Sequence, residues 1–235
     1  MKRPTLLFSL LAALLAALPA AQAASGPARP PKLTAEWRPL FNGRDTEGWE
    51  LSGPGEFRVE NGELVTYGGL GTLWYLREKF GNCQIRVVFR LGSSNANSGV
   101  HLRIPERPYS PWEVVNRGYE AQIAPGGNEW HCTGTLYSLT QAKARPATPP
   151  GQENTMIITL DGPRTRVEVN GALVTDYVEG QAVPPKKIWY EPDRGPRPES
   201  GFIALQNHDE HSRVYFRDVS VRALPKEGRK RPGGE

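Results

Sequence analysis

The chain has two cysteines in 235 residues, Cys83 and Cys132, too few for a cysteine-built metal site. Cys83 shares a strand face with Ile85, Val87 and Phe89, so it looks inward. It is either a buried small hydrophobe or a partner for Cys132, and spacing does not choose between them. Helical periodicity is missing too: no segment repeats its apolar residues convincingly every three to four positions. The only long apolar run is Leu6 to Leu18, about a dozen residues and too short to span a bilayer as a helix. Basic residues are scattered rather than gathered on one face, which argues against a nucleic-acid partner.

What is present begins with that apolar run. Lys2 and Arg3 precede it, and Ala21-Gln22-Ala23 offers a small-x-small cleavage site, so residues 1–23 read as a signal peptide. No cysteine follows to carry a lipid anchor. The expectation is a periplasmic or secreted protein with no membrane insertion after signal cleavage. The formal charge of +4 falls by two when Lys2 and Arg3 leave. Residues 24–36, with Pro27, Pro30 and Pro31, read as a linker. Residues 223–235, containing Lys226, Arg229, Lys230 and Arg231, read as a disordered basic tail. Residues 37–222 remain for one domain.

Within that domain, turn signals punctuate short strand patterns. Asn61-Gly62, Asp161-Gly162 and Asn170-Gly171 mark hairpins, because these pairs tolerate the positive φ of tight turns. Further strands are expected at 73–76, 83–91, 99–104, 119–124, 134–139, 201–206 and 213–221. About a dozen strands exceed one flat sheet and fit two antiparallel sheets packed face to face. The apolar parity slips between Phe216 and Val219, which predicts a β-bulge. Gly201 to Gln206 is apolar on both faces and should be a central strand covered on both sides. Long irregular stretches at 141–153 and 179–200 are expected as loops. The second carries Trp189 and Tyr190, which would either lid the polar face or pack down onto the domain.

The segment Asn97-Ser98-Gly99-Val100-His101-Leu102-Arg103 alternates apolar and polar residues, and so does Gly118-Tyr119-Glu120-Ala121-Gln122-Ile123. As neighbouring strands they would bring His101, Arg103, Glu120 and Gln122 together on one polar face, a surface suited to a sugar. Otherwise Arg103 and Glu120 form a solvated cross-strand ion pair worth less than about 1 kcal/mol. Gln206 and His208 end the central strand and can reach that face, whereas His131 and His211 read as bystanders. Gly134 would let a ligand approach the backbone near Tyr137. Trp112 and Trp189, in loops, can stack on a sugar ring. A divalent-metal site would combine His101, Glu120 and His208, but no H-x-H or H-x-x-x-H spacing supports it.

Several motifs, in order, resemble the 3-keto-disaccharide hydrolase domain family. They begin with Phe41-Asn42-Gly43-Arg44-Asp45-Thr46-Glu47-Gly48-Trp49 and continue through Asn97-Ser98-Gly99-Val100, Gly118 to Ile123 and Thr133-Gly134-Thr135-Leu136-Tyr137. They close with Gly201 to His208 and Val214 to Val219. The resemblance implies a concanavalin A-like jelly-roll sandwich in an exported bacterial protein that cleaves sugars oxidised to a ketone at C3. It also makes Asn97 and Ser98 wall residues of the site, where a turn-capping role would otherwise serve. The chain differs in its long 179–200 segment and in Asn207-His208-Asp209-Glu210-His211.

A C3 ketone acidifies the C2 proton, so one base, a group polarising the C3 oxygen and a proton donor would suffice. The E-x-D-x-x-E arrangement of sandwich-fold glucanases is absent, which disfavours an ordinary two-carboxylate glycosidase. Glu120, His101 and Arg103 are the expected catalytic residues. Asn97, Ser98, Gln122, Tyr137, Gln206, His208, Trp112 and Trp189 are the expected substrate contacts. The alternative from a different class is a non-catalytic carbohydrate-binding module on the same sandwich.

Overall fold

The computed structural model describes residues 31–224. The expected signal peptide, most of the linker and nearly all of the basic tail lie outside them. Thirteen strands and one short helix follow in order. Strands β1 to β5 are Arg38–Pro39, Trp49–Ser52, Glu56–Glu60, Glu63–Tyr67 and Gly71–Tyr75. Then come β6 Cys83–Leu91, β7 Ser98–Ile104, helix α1 Pro111–Arg117 and β8 Tyr119–Ile123. The last five are β9 Glu153–Asp161, β10 Arg164–Val169, β11 Ala172–Val178, β12 Phe202–Asn207 and β13 Val214–Ala223.

All the pairings are antiparallel and make two sheets. One runs β11-β10-β9-β6-β13-β4-β3, with β1 on the free stretch of β13; the other runs β2-β5-β12-β7-β8. The hairpin turns fall where Asn-Gly and Asp-Gly place them, with Asn61 at φ 51° and Asn170 at φ 49°. The bulge in β13 lies between Phe216 and Asp218. Strand β12 is central, between β5 and β7, and both its faces are covered. Period-two alternation builds the core. Ile85, Val87 and Phe89 of the first sheet meet Val100, Leu102, Tyr119 and Ala121 of the second.

Several local expectations need correction. Residues 134–139 form turns rather than a strand, although this segment still hydrogen-bonds along β8: Gly134 N donates to Gln122 O (2.8 Å) and Tyr137 N to Glu120 O (2.9 Å). Gly134, at φ 92°, faces Val169 and Val174 of the core, so it gives no ligand access to the backbone. Helix α1 was not expected; at two turns it is too short to show a period. Its cue was Ser110-Pro111 with Glu113. The Ser110 hydroxyl accepts from Glu113 N (3.3 Å), and Pro111 opens the first turn. Cys83 and Cys132 are both free and buried, and no bridge joins them. At the N-terminal edge Leu33 packs on the core, and Thr34 O accepts from Ala223 N (2.7 Å), so this part of the expected linker is docked.

The helix decides where a site can lie. It packs across β5, β7 and β8 on the side of the second sheet away from the core. Val114 meets Trp74, Ile104 and Ala204 there. The polar face expected to meet solvent is therefore roofed by α1, by the 133–139 turns and by the 179–200 loop, and every residue of β7 and β8 is buried. The loop is fastened rather than free. Arg197 Nε donates to Gly118 O (3.1 Å), and Asp193 N to Asn116 O (2.9 Å) at the end of α1. Arg194 Nε closes the loop on Pro184 O (2.8 Å).

Candidate functional site

Cross-strand register puts His101 opposite Glu120 and Gly99 opposite Gln122. Val100 and Ala121 point into the core, so alternation aims Glu120 and Gln122 at the roofed side. There a cavity of about 360 Å³ opens, with Glu120, Gln122 and Gln206 on its floor and Asn97, Tyr137 and His208 on its walls. Leu70, Trp112, Val115 and Tyr190 complete it as an apolar side. This mix of an apolar wall and a few polar groups is usual for a small-molecule pocket.

Glu120 is 6% exposed. Burial pushes its carboxyl up to about 8, against a smaller lowering by the Gln206 amide. Gln122 meets only acceptors at this end, so its amide is assigned with the nitrogen there, donating to Glu120 Oε1 (2.8 Å) and to Ser98 O (3.1 Å). Gly99 leaves the space that the Glu120 side chain occupies. Sequence reasoning missed that role; the available signal was a glycine inside a strand, opposite a polar residue. Two acceptor atoms, Gln206 Oε1 and Asn97 Oδ1, are buried with no partner inside the protein. Buried acceptors need a donor, and sugar hydroxyls are donors.

Arg103 does not join this cluster. Strand β7 spends one more residue than β12 between the pairs His101–Ala204 and Ile104–Phe202. This bulge sets Arg103 at φ 54°, and it breaks the parity that would have kept His101 and Arg103 on one face. The guanidinium instead donates to Gly162 O (2.7 Å) and Pro198 O (3.0 Å). It ties the β9–β10 turn to the long loop, and neither the ion pair nor the catalytic grouping with Glu120 forms.

His101 keeps its place opposite Glu120 but lies fully buried outside the cavity lining. Burial drives its pKa down to about 3, so the ring is neutral, and neither nitrogen has a partner. Ser98 is also buried, its hydroxyl donating to Gln206 O (2.6 Å) instead of forming a wall. Trp189 is exposed and does not line the cavity; its ring packs on Trp112 at 4.7 Å. His208 Nδ1 meets Asp209 Oδ2 at 2.7 Å, and since a carboxylate only accepts, this nitrogen donates. Burial raises the Asp209 pKa, but hydrogen bonds from His208, His211 N and Ser212 outweigh it and hold the carboxyl down at about 2. His131 is bonded to Ser138 Oγ (2.9 Å) and stacks on Tyr137.

Among the described residues, no three His, Cys, Asp or Glu side chains converge to hold a metal, so His101, Glu120 and His208 do not assemble as a ligand set. The cavity lining holds one carboxyl group and no lysine or arginine. Chemically, this is a single weak acid beside amide donors and acceptors, a phenol and an imidazole, in a partly dry cleft.

Residues 36–222 match the family model of the 3-keto-alpha-glucoside-1,2-lyase-like domain. Among solved structures, a candidate glycosyl hydrolase from Parabacteroides distasonis ATCC 8503 superposes with a TM-score of 0.63 at 24% identity, over 80% of this chain and 94% of that one. A Bacillus subtilis protein with a galectin-like fold gives 0.53 at 13% identity, over 81% and 97%. The carbohydrate-binding module CBM66 from Bacillus subtilis gives 0.51 at 12%, over 75% and 96%. These likenesses establish the concanavalin A-like sandwich. No curated protein matches the chain.

Proposed function

The chain belongs to the 3-keto-alpha-glucoside-1,2-lyase-like family, and from that premise we propose that it cleaves 3-keto-glycosides by elimination across C1 and C2, with Glu120 as the base. The observation that carries this reading is the lone carboxyl on the cavity floor, its pKa pushed up to about 8. Ordinary glycoside hydrolysis needs two carboxyl groups about 5–10 Å apart; elimination from a ketone needs one base of raised strength.

The steps balance without any redox partner. Ionised Glu120 takes the C2 proton, and the C–H electron pair forms an enolate on the C3 oxygen. The ketone then re-forms, a C1=C2 bond is made, and the C1–O bond breaks. The departing oxygen needs a proton, which Tyr137 can give. Burial, with Glu120 nearby, raises its pKa, so the phenol keeps its proton near neutral pH. Water adding across C1=C2 yields the free 3-keto sugar. The Asn97 amide and, when its second ring nitrogen carries a proton, the His208 imidazole at the rim are the donors available to the enolate oxygen, in place of the guanidinium expected from the sequence. The Trp112 and Tyr190 rings offer a stacking wall for the pyranose.

The same reading places the reaction outside the cytoplasm, on the strength of Lys2-Arg3, the Leu6 to Leu18 run and Ala21-Gln22-Ala23. Protein sequencing of the cell-exported form should begin just after Ala23.

The test of function is incubation with a 3-keto-disaccharide and with its unoxidised parent. Sugar release from the ketone alone, lost in Glu120→Gln, supports the reading. Equal binding of both without turnover would make the domain a carbohydrate-binding module.

A further inference from the structure

The cavity above Glu120 has a neighbour. A second, more open hollow of about 390 Å³ adjoins it and shares three of its walls, Asn97, Gln122 and Tyr137. Beyond those shared residues the lobes differ in chemistry. The Glu120 lobe has Leu70, Trp112, Val115 and Tyr190, an apolar side on which the face of one sugar ring can lie. The second is built from Ser94, Asn95, Ala96, Ala124, the Gly126-Gly127 backbone and the His131 imidazole, with no Trp, Phe, Leu or Ile in its lining.

From this pairing we infer that the second lobe is the leaving-group site, and that it selects a polar, sugar-sized substituent at C1 over a small alkyl or an aryl one. The inference rests on the elimination reading for which end of the substrate sits where. Glu120 must reach C2, so the keto sugar fills its lobe. C1 and its oxygen then fall at the Asn97–Gln122–Tyr137 boundary, and the substituent continues into the second hollow. Asn97 Oδ1, buried and unpartnered at that boundary, is an acceptor for a hydroxyl of either ring. His131, held by Ser138 and stacked on Tyr137, fixes the far side of the boundary.

Gly126 gives a clean probe. A Cβ added there meets nothing nearer than Ser94 O at 3.8 Å, and its φ is not in the left-handed region. Gly126→Leu would therefore fill the second lobe without straining the backbone. Asn95→Trp, at an exposed position of the same lining, fills it from a second point and covers the case in which the first variant folds poorly.

The experiment measures binding in the non-turning Glu120→Gln background, so it stands apart from whether the chemistry is right. The probes are a 3-keto-disaccharide and methyl 3-keto-glucoside. The disaccharide should bind about tenfold tighter or more. Each filling variant should erase that preference while moving the affinity for the methyl glycoside less than about threefold. A preference absent from the start, or one that survives both fillings, overturns the assignment. Failure of unmodified protein to cleave either probe would instead sink the elimination reading alone.

Discussion

The carboxyl of Glu120 lies where a side chain at position 99 would stand: a Cβ on Gly99 would be 2.6 Å from Glu120 Cγ and 2.8 Å from Cδ. Strand β7 thus gives up a side chain so that the neighbouring strand can hold its acid flat on the cavity floor.

Gly99→Ala should therefore displace the acid. The crowding costs on the order of 1–3 kcal/mol of stability, yet a misplacement of about 1 Å can cost about 100-fold in rate. Steady-state kinetics on the 3-keto-disaccharide, alongside thermal melting, check both. Full activity would mean that the carboxyl's placement is not critical.

Arg103→Met separates structure from chemistry. The variant loses the bonds to Gly162 O and Pro198 O and should fall in stability by roughly 2–4 kcal/mol. Its kcat, measured on folded protein well below the transition, should stay within about threefold of the parent. A selective collapse of kcat would return Arg103 to the catalytic group.

Stability should also depend on Glu120 ionisation. The folded pKa, about 8, lies above the ordinary 4.5. Burial thus favours the neutral acid; its stabilising contribution is complete below about 4.5 and is lost as pH rises through 8. Glu120→Gln removes that loss. Denaturant titrations at pH 6 and pH 9.5 should show the parent weakening relative to Glu120→Gln by on the order of a few kcal/mol. Parallel curves would mean an ordinary, solvated carboxyl.

Tyr137→Phe removes the phenol proton. Turnover of a 3-keto-disaccharide should fall about 100-fold, and turnover of a nitrophenyl 3-keto-glucoside much less, because that leaving group needs no proton. Equal losses on both substrates would point to a positioning role.

The sequence carried the sandwich well, since period-two alternation and Asn-Gly turns are local signals. Strands β6, β7 and β8, the β13 bulge and the central β12 were legible for that reason, and so was the outward aim of Glu120 and Gln122. What failed was non-local. Alternation put Arg103 beside His101, but one extra residue in β7 turned it away, and nothing in the local pattern announces a bulge there. His101 looked like a surface imidazole because α1, only two turns long, showed no period to reveal the roof above it. The same roof converts Glu120 from a solvated carboxylate into a buried weak acid, so the feature most relevant to chemistry depends on tertiary cover.

The most direct test of Glu120 as the C2 base is the pH dependence of kcat/KM on a 3-keto-disaccharide carrying deuterium at C2. Activity should rise tenfold per pH unit up to about 8 and then level, with a primary isotope effect, and Glu120→Gln should lose both. A flat profile with undiminished cleavage by Glu120→Gln would contradict that role.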